Sequence, residues 1–351
     1  MEAGLVTLGG QEEVMAQPRA YCTYFDSGYL SRGLTLIDSL REHGDNSPVW
    51  VLALDDDTKK YLDELARPNL HTLTVANLEA AEPRLAPLRA ERSRMEYYFT
   101  CTPQLTLFVM SKYPDPTPVV IYLDADMYFF DDPGLVLDSL GTGSVGIIEH
   151  RYPPGVAKRL QQYGRFNVGW VGFRADSKGR ACLDWWAASC LEWCFDRPED
   201  GKYADQGYLN SFPGFDGVVI LQPTGLDLAP WNTARHHVTS PDGSRVVVDR
   251  DDPLVFFHFH GVRRVGNWYV TSQLVYGSRL TPVLRGLVYT PYLKRLEQST
   301  RSVSEAIGNR APAARRGNGW RGIVSRIRKS AIDRVTILTG NAIAVKDLGQ
   351  D

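Results

Sequence analysis

The sequence has few cysteines, no long apolar run and almost no net charge. Five cysteines among 351 residues cannot form the dense disulfide framework of a small secreted scaffold. No apolar stretch approaches the roughly 18–20 residues that span a bilayer. Residues 1–20 lack the basic and apolar segments of a signal peptide. These absences predict a protein of a reduced, cytoplasmic setting without a membrane span.

The small net charge of −2 conceals an uneven distribution. Between Arg310 and Arg334 there are eight basic residues against one acid, a net +7, so that the rest of the chain carries −9. Hydrophobic residues make up 43% and charged residues 23%, which is a globular composition and excludes a disordered chain. An acidic body with a basic tail predicts different partners for the two parts, and it argues against a nucleic acid partner.

Strand and helix patterns alternate in the N-terminal part of the chain. Short apolar or aromatic runs over 20–25, 48–54 and 70–75 predict strands, and apolar residues at helical spacing over 28–41 predict a helix. Asp57 is expected to cap the helix that follows the second strand. This alternation predicts an α/β sheet wound with helices, and the carboxyl edge of such a sheet is the expected ligand crevice.

Similar patterns divide the rest of the chain. Further predicted elements are helices over 96–113 and 181–195 and strands over 118–123, 145–149, 166–174, 218–222 and 253–260. The predicted domains are a frayed N-terminus (1–18), a main domain (19–270), a C-terminal helical lobe (271–308) and a basic linker with an amphipathic helix (309–351).

Two carboxylates directly follow the most apolar predicted strand. Asp124, Ala125 and Asp126 form an acid–x–acid tripeptide at its end, where a turn can bring both acids to one cation. Oxygen ligands of this kind suit Mg²⁺ or Mn²⁺, usually with substrate phosphates completing the shell. The alternative interpretation is that both acids simply cap the turn before Asp131 and Asp132.

Three further motifs follow in a fixed order. They are Phe166-Asn167-Val168-Gly169, Ala204-Asp205-Gln206 with Asn210 beyond it, and His258-Phe259-His260-Gly261. With the acid pair, they resemble the retaining glycosyltransferases of the glycogenin and lipopolysaccharide galactosyltransferase type, glycosyltransferase family eight. The resemblance covers about residues 19–270. It implies a GT-A (Rossmann-like) fold with a single mixed central sheet flanked by helices, here followed by a C-terminal helical tail.

The resemblance also implies a metal site. Asp124, Asp126 and His258 would hold Mn²⁺ or Mg²⁺ against the donor diphosphate, with His260 as the alternative ligand. The last motif departs from the family because Lys-Pro-Trp is missing and Arg264 stands at the lysine position. Arg264 would contact the diphosphate, or it belongs to a solvated basic turn. Because of this departure the donor sugar is not copied from any member.

The nucleotide would lie at the end of the first strand. Thr23, Tyr24, Phe25 and Tyr29 would surround the base, because aromatic faces stack on bases, although such residues are equally typical of a core. Arg94, and with it Arg92, would contact phosphate or sugar, or both belong to an exposed helix start. The resemblance implies uridine, and the residues themselves leave guanosine and thymidine open.

The reaction centre would lie near the middle two motifs. By resemblance, Asp205 would stabilise the oxocarbenium charge or act as nucleophile, Gln206 would lie beside it, and Asn167 would hydrogen-bond the donor sugar. Asp205 as a helix N-cap is the alternative. Trp231 and Asn232 would shape the acceptor side, or form part of the core.

We therefore expect a metal-dependent hexosyltransferase that moves a sugar from a UDP-sugar to an acceptor hydroxyl with retention, in cell-surface glycan or glycolipid synthesis. The acceptor, whether glycan, lipid-linked or protein, is open. The alternatives are a non-catalytic sugar- or nucleotide-binding protein of the same fold, and an acid–x–acid phosphohydrolase, which Tyr128 and the position of the motif disfavour.

The C-terminal region 320–340 interleaves apolar and basic residues, which predicts an amphipathic helix. We expect it to bind an anionic membrane surface at the inner face of the plasma membrane. Packing on the acidic body, or binding of a partner protein, are the alternatives.

Overall fold

The computed structural model describes residues 18–113, 118–308 and 320–349, and for 159–161 and 320–328 it describes the backbone only. The strands are, in chain order, β1 (Arg19–Phe25), β2 (Val49–Ala53), β3 (Leu70–Thr74), β4 (Val119–Leu123), β5 (Met127–Phe129), β6 (Val145–Glu149), β7 (Phe166–Arg174), β8 (Val218–Ile220), β9 (Val238–Thr239), β10 (Val247–Val248), β11 (Asp252–Pro253), β12 (Phe256–His258), β13 (Arg263–Val265), β14 (Trp268–Val270) and β15 (Ala342–Ala344). The α-helices are α1 (Leu30–Glu42), α2 (Asp56–Leu65), α3 (Val75–Ala81), α4 (Leu85–Glu91), α5 (Arg94–Met110), α6 (Gly134–Leu140), α7 (Pro154–Leu160), α8 (Ser177–Glu192), α9 (Thr290–Ile307) and α10 (Trp320–Leu338). Short 3₁₀ turns cover Gln161–Tyr163, Gln206–Gly214, Gln273–Tyr276 and Val345–Leu348, and Leu284–Tyr289 forms a π-helical turn before α9.

Seven strands form the central sheet, in the order β3-β2-β1-β4-β7-β6-β8. Its neighbours pair in parallel except around β7, which runs antiparallel to both β4 and β6. The predicted fold class, a single mixed central sheet flanked by helices as in the GT-A fold, is confirmed. Because β7 runs the other way, its first residues lie at the same edge as the carboxyl ends of β1, β4 and β6. That edge is where the motifs of the sequence meet.

The core lies on both faces of this sheet. In β4, Val120 and Tyr122 face one side of the sheet and Ile121 faces the other, as the two-residue period of a strand requires. The first face packs against α5 and α8, where Trp186 is fully buried, and the second packs against α1 around Leu36. Burial on both faces explains why β4 has a continuous apolar sequence.

A two-stranded ribbon extends from the carboxyl edge. After a turn at the acid pair, β5 runs antiparallel to β12, and His258 lies opposite Met127 in the register. The Phe259 N–H donates to the Asp126 carbonyl at 2.8 Å. This ladder brings residues more than a hundred positions apart in the chain to the same point.

The C-terminal elements pack beside α1. A third apolar cluster forms where Phe259 stacks on Tyr292 of α9, with ring centroids 3.7 Å apart. β13, β14 and β15 form a separate small sheet, and Arg263 forms an ion pair with Asp333 of α10. The predicted division at residues 270 and 308 stays a prediction. The predicted frayed segment and the start of the linker, 1–17 and 309–319, lie outside the described residues.

Several local predictions are corrected. The N-cap of α2 is Asp55, whose carboxylate accepts from the Thr58 N–H at 2.9 Å, and Asp57 lies inside the first turn, so the predicted cap was wrong. α5 begins at Arg94, earlier than predicted, because Ser93 caps it. All five cysteines are buried free thiols. Among the described residues, none of the helices combines the length and the apolar character that a membrane span needs.

Candidate functional site

A cavity of about 760 Å³ opens at the carboxyl edge of the central sheet. Its walls come from the end of β1, the turn after β4, the start of β7 and the residues around β12. Aromatic side chains, carboxylates, imidazoles and Trp231 all line it. The predicted residues that line it are Tyr24, Phe25, Tyr29, Asp124, Ala125, Asp126, Asn167, Asp205, Gln206, Trp231, His258 and His260.

At the centre, His258 contacts both predicted acids. Its Nε2 lies 3.0 Å from Asp126 Oδ1 and 3.7 Å from Asp124 Oδ2. Asp124 is in turn held by the Tyr122 hydroxyl, which donates to Oδ1 at 2.8 Å. The structure therefore brings together the three residues that the resemblance offered as metal ligands.

His260 joins this centre as well. One ligand atom each of Asp126, His258 and His260 lies within 4.8 Å of the other two, which is close enough for a single cation to contact all three. His258 is buried, whereas Asp126 is half-buried and His260 is exposed. By distance, His260, the alternative ligand, is thus as well placed to bind a cation as His258, the preferred one.

The ionisation of the centre is strongly perturbed. Burial raises the pKa of Asp124 to about 6, with His258 opposing and Asp126 adding to the rise. Burial would also raise the pKa of Asp126, but the His258 imidazole and its hydrogen bond outweigh it and hold that pKa below its usual value. Burial alone would lower the pKa of His258, and the Asp126 carboxylate raises it well above its usual value instead.

Asn167 and Gly169 lie directly behind the imidazole. Asn167 Nδ2 donates to Asp227 Oδ2 at 2.9 Å and lies 3.3 Å from His258 Nδ1. A Cβ on Gly169 would come within 2.7 Å of both Asn167 Nδ2 and His258 Nδ1. The imidazole of His258 therefore fits here because Gly169 has no Cβ. Asn167 lines the cavity while its amide is already engaged with Asp227.

Asp205 and Gln206 also line the cavity. Asp205 is 4% exposed, and burial raises the pKa of its carboxyl group to about 7, with Thr102 opposing and Asp124 adding to the rise. It precedes the 3₁₀ turn Gln206–Gly214, but its side chain makes no capping hydrogen bond. Gln206 Nε2 donates to the Tyr163 carbonyl at 2.6 Å.

Most residues of the predicted base site line the cavity. Tyr24 lies between Tyr122 and Tyr98, with ring centroids 5.7 Å and 6.2 Å away. Tyr29 is 42% exposed, and because Arg32 lies over its ring, 4.7 Å from the centroid, a base would stack on the other face. Thr23, in contrast, is 1% exposed and does not line the cavity.

The predicted arginines are more widely separated. Arg94 does not line the cavity itself, but it donates to two residues that do, Asp26 Oδ2 at 2.7 Å and the Tyr98 hydroxyl at 2.5 Å. Arg264 lies on β13, where Nη1 donates to Glu297 at 2.9 Å, and it is not part of the cavity wall. Arg92 is buried and donates to the Cys190 and Leu191 carbonyls, which is a structural role at the end of α8.

Sequence reasoning missed two buried polar residues at the site. Asp227 is fully buried, and its Oδ1 has no hydrogen-bond partner among the described residues. His150 follows β6, and burial lowers its pKa to about 4, so its ring is neutral. The available signal for Asp227 was a lone carboxylate between Leu226 and Leu228.

The two residues predicted for the acceptor side differ in position. Trp231 lines the cavity, with its ring centroid 4.9 Å from that of His258. Asn232 is fully buried and holds the turn through the Asp227 carbonyl and the Ala229 N–H. Only the tryptophan therefore faces a ligand space.

The fold and the central cluster define an open α/β protein with a mixed sheet and a carboxylate–imidazole site at its carboxyl edge. No family model matches the chain. The chain belongs to the same family as the uncharacterized protein YfnF of Bacillus subtilis (strain 168), with which it is 33% identical over 253 residues, 70% of this chain and 82% of YfnF. The uncharacterized protein YfnD of the same organism is 28% identical over 281 residues, 79% of this chain and 88% of YfnD.

Solved structures similar to this chain include glycosyltransferases. The galactosyltransferase LgtC, in complex with donor and acceptor sugar analogues, gives a TM-score of 0.47 at 17% identity, over 80% of this chain and 95% of LgtC. The bifunctional glycosyltransferase WbbM gives 0.44 at 18% identity over 73% of this chain, which spans 48% of WbbM. Both TM-scores indicate distant similarity.

Proposed function

We propose that this protein is a metal-dependent glycosyltransferase that uses a nucleotide-diphosphate sugar, with UDP-sugar as the expected donor. The observation that carries the proposal is the set of groups that line one cavity. They are tyrosines that can stack on a base, the Asp126–His258 pair at 3.0 Å, and Asp205 with Trp231. These are the groups that a nucleotide, a cation, a sugar and its acceptor would need.

The residues at the centre fit a divalent cation. The walls of the cavity concentrate carboxylates, since Asp124, Asp126 and Asp205 all line it. Buried carboxylates and a diphosphate repel one another unless a cation lies between them. Carboxylate oxygens suit both Mg²⁺ and Mn²⁺, and the imidazoles of His258 and His260 favour Mn²⁺. When bound, such a cation neutralises the charge of the leaving diphosphate.

The chain's own residues would do the remaining work. Tyr24 and Tyr29 would bind the base by stacking, and Arg94, beside the lining residues Asp26 and Tyr98, would supply a cation for phosphate oxygens. Asp205, which lines the same cavity, would stabilise positive charge on the sugar ring once ionised. We propose retention of configuration because the sequence motifs resemble those of retaining glycosyltransferases. Arg264 stays a proposed phosphate contact that would first have to leave Glu297.

A thermal-shift panel tests this proposal. UDP-, GDP- and TDP-sugars are added with and without Mn²⁺, and we expect one nucleotide to raise the melting temperature by about 3–5 °C only when Mn²⁺ is present. Asp126→Asn should abolish that rise. The matched control Asp131→Asn, which removes an acid paired with Arg245, should keep it. Equal shifts without metal, or an unaffected Asp126→Asn, would contradict the metal-dependent site.

Transfer itself is a separate readout. A non-catalytic sugar- or nucleotide-binding protein would show the metal-dependent shift but release no UDP with any acceptor. Release of UDP together with a product of retained anomeric configuration, measured by NMR, supports the transferase. The acceptor class follows from which of a glycan, a lipid-linked sugar or a protein supports turnover.

We also propose that α10 places the enzyme on an anionic membrane surface. Its described end exposes Val335 (51%) and Leu338 (85%), and Ile332 is 37% exposed. Lys329 and Arg334 are exposed on the same segment. An apolar stripe with basic neighbours is the arrangement that binds anionic lipid interfaces, and a surface glycan or glycolipid acceptor would be found there.

A further inference from the structure

Asp227 is a buried carboxylate that the proposed chemistry leaves without a role. Its side chain is fully buried, and Oδ2 accepts a hydrogen bond from Asn167 Nδ2 at 2.9 Å. Oδ1 has no hydrogen-bond partner within the described part of the chain, and His258 Nδ1 lies 3.8 Å from it. A buried carboxylate oxygen without a partner costs free energy of folding, so a function for Asp227 is expected.

The backbone fixes Asp227 beside the imidazole. Leu228 forms a bridge with Phe257, and the His258 N–H donates to the Leu228 carbonyl at 2.9 Å. Asn232 closes the turn by donating to the Asp227 carbonyl at 2.9 Å. The carboxylate therefore approaches the ring from the side opposite to the cavity acids, since Nδ1 faces it and Nε2 faces Asp126.

The two ring nitrogens have different surroundings. Nε2 lies 3.0 Å from Asp126, on the side where a cation would bind. An imidazole that binds a cation through Nε2 carries its remaining proton on Nδ1, and that N–H needs an acceptor. Asn167 cannot supply one, because its Nδ2 is a donor whose orientation is fixed by Asp227. Asp227 Oδ1 is the acceptor in reach.

We propose that Asp227 is a positioning residue for His258, and that its free Oδ1 accepts the Nδ1–H when Nε2 binds a divalent cation. The hydrogen bond requires that the present 3.8 Å shorten to about 3 Å, a shift of less than one bond length. It fixes the tautomer and the orientation of the ring. Asn167 completes the arrangement by holding the other carboxylate oxygen. This inference rests on the proposed function only for the presence of the cation.

Cation affinity in the absence of any sugar donor tests the proposal. Mn²⁺ binding to the full chain is measured by titration calorimetry for the wild type, Asp227→Asn and Asp227→Ala. We expect both variants to bind Mn²⁺ about 10–100-fold more weakly. Asp252→Asn is the matched control, because it removes a neighbouring carboxylate that binds Thr224. It should bind Mn²⁺ within about twofold of the wild type.

A double variant separates positioning from simple folding effects. In Asp227→Asn alone, the single amide oxygen can face either Asn167 or His258, and the amide NH₂ then meets a donor. Combining it with Asn167→Asp exchanges the two groups, so an acceptor faces Nδ1 again. We expect this exchange to recover most of the lost Mn²⁺ affinity, which a general loss of stability would not predict.

A spectroscopic measurement gives the second readout. With ¹⁵N-labelled histidine and Zn²⁺ as a diamagnetic probe, the wild type should show His258 with its proton on Nδ1, protected from exchange. The signal of His258 is assigned by its loss in His258→Gln. In Asp227→Ala the Nδ1 proton of His258 should no longer be protected from exchange.

The outcomes distinguish the two proposals. If the wild type binds no Mn²⁺, the metal-dependent function and the role of Asp227 both fall. If the wild type binds Mn²⁺ and the Asp227 variants bind it within about twofold, or the exchange recovers nothing, only the positioning role is overturned.

Discussion

The buried carboxylate Asp205 makes stability depend on pH in a direction that can be worked out. Burial raises its pKa from 3.8 to about 7. Because the folded state then holds a proton that the unfolded chain releases, the full stability is present only below the unfolded pKa. It falls as the pH rises towards about 7 and is constant above that. Each pH unit between the two values costs about 1.4 kcal/mol, which gives an upper figure of about 4 kcal/mol.

Asp205→Asn removes this penalty because the amide has no charge to bury. The amide also loses the stronger hydrogen bonds that a charged acceptor makes, so we expect a net gain of about 2 kcal/mol at about pH 8. Urea unfolding in EDTA at about pH 5, 6, 7 and 8 measures the gain, which should grow up to about pH 7 and then level. Asp216→Asn, which removes an exposed carboxylate, should change stability by less than about 0.5 kcal/mol at every pH.

The reasoning is refuted by either of two results. One is a gain that is the same at all four pH values, which would mean that the charge of Asp205 is not involved. The other is a variant less stable than the wild type at about pH 8, which would mean that its hydrogen bonds outweigh the cost of burial.

Two further predictions concern Gly169, which packs against His258, and the helix α10. Gly169→Ala places a Cβ 2.7 Å from His258 Nδ1. It should lower the free energy of unfolding by about 1–3 kcal/mol and weaken Mn²⁺ binding, as urea unfolding and calorimetry would show. Gly155→Ala, where the Cβ meets open space, should do neither. The double variant Val335→Glu, Leu338→Glu should co-sediment less with phosphatidylserine vesicles than the wild type does. If the variant binds as well as the wild type, or if the wild type binds neutral vesicles equally well, α10 does not bind an anionic membrane surface.

Local patterns in the sequence were sufficient for most of the fold. The strand before the acid pair was predicted because five consecutive apolar residues, Val119–Leu123, are typical of a strand buried on both faces. Helix ends were predicted less well, because several acids in a row compete to cap a helix. Asp55 caps α2 because its backbone is extended there, whereas Asp57 already has a helical position.

The site was predicted to the extent that its residues stand in short motifs. The acid pair was recognised by its position after a buried strand, and His258 by the resemblance of its motif. The structure brings an oxygen of each acid within 3.7 Å of the His258 imidazole. Thr23 and Arg264 do not line the cavity, because Thr23 is buried within β1 and Arg264 forms an ion pair with Glu297. Neither of these can be read from neighbouring letters in the sequence.

Asp227 shows why the remainder of the site needed the structure. In the sequence it is one acid between two leucines, with no spacing that links it to a histidine 31 positions away. Its significance comes from two long-range pairings, the β5–β12 ladder and the bridge of Leu228 with Phe257, which together fix which side of the imidazole it faces. Motifs record the groups that contact a ligand. The groups that orient those contacts are selected by register, and register is a property of the folded sheet.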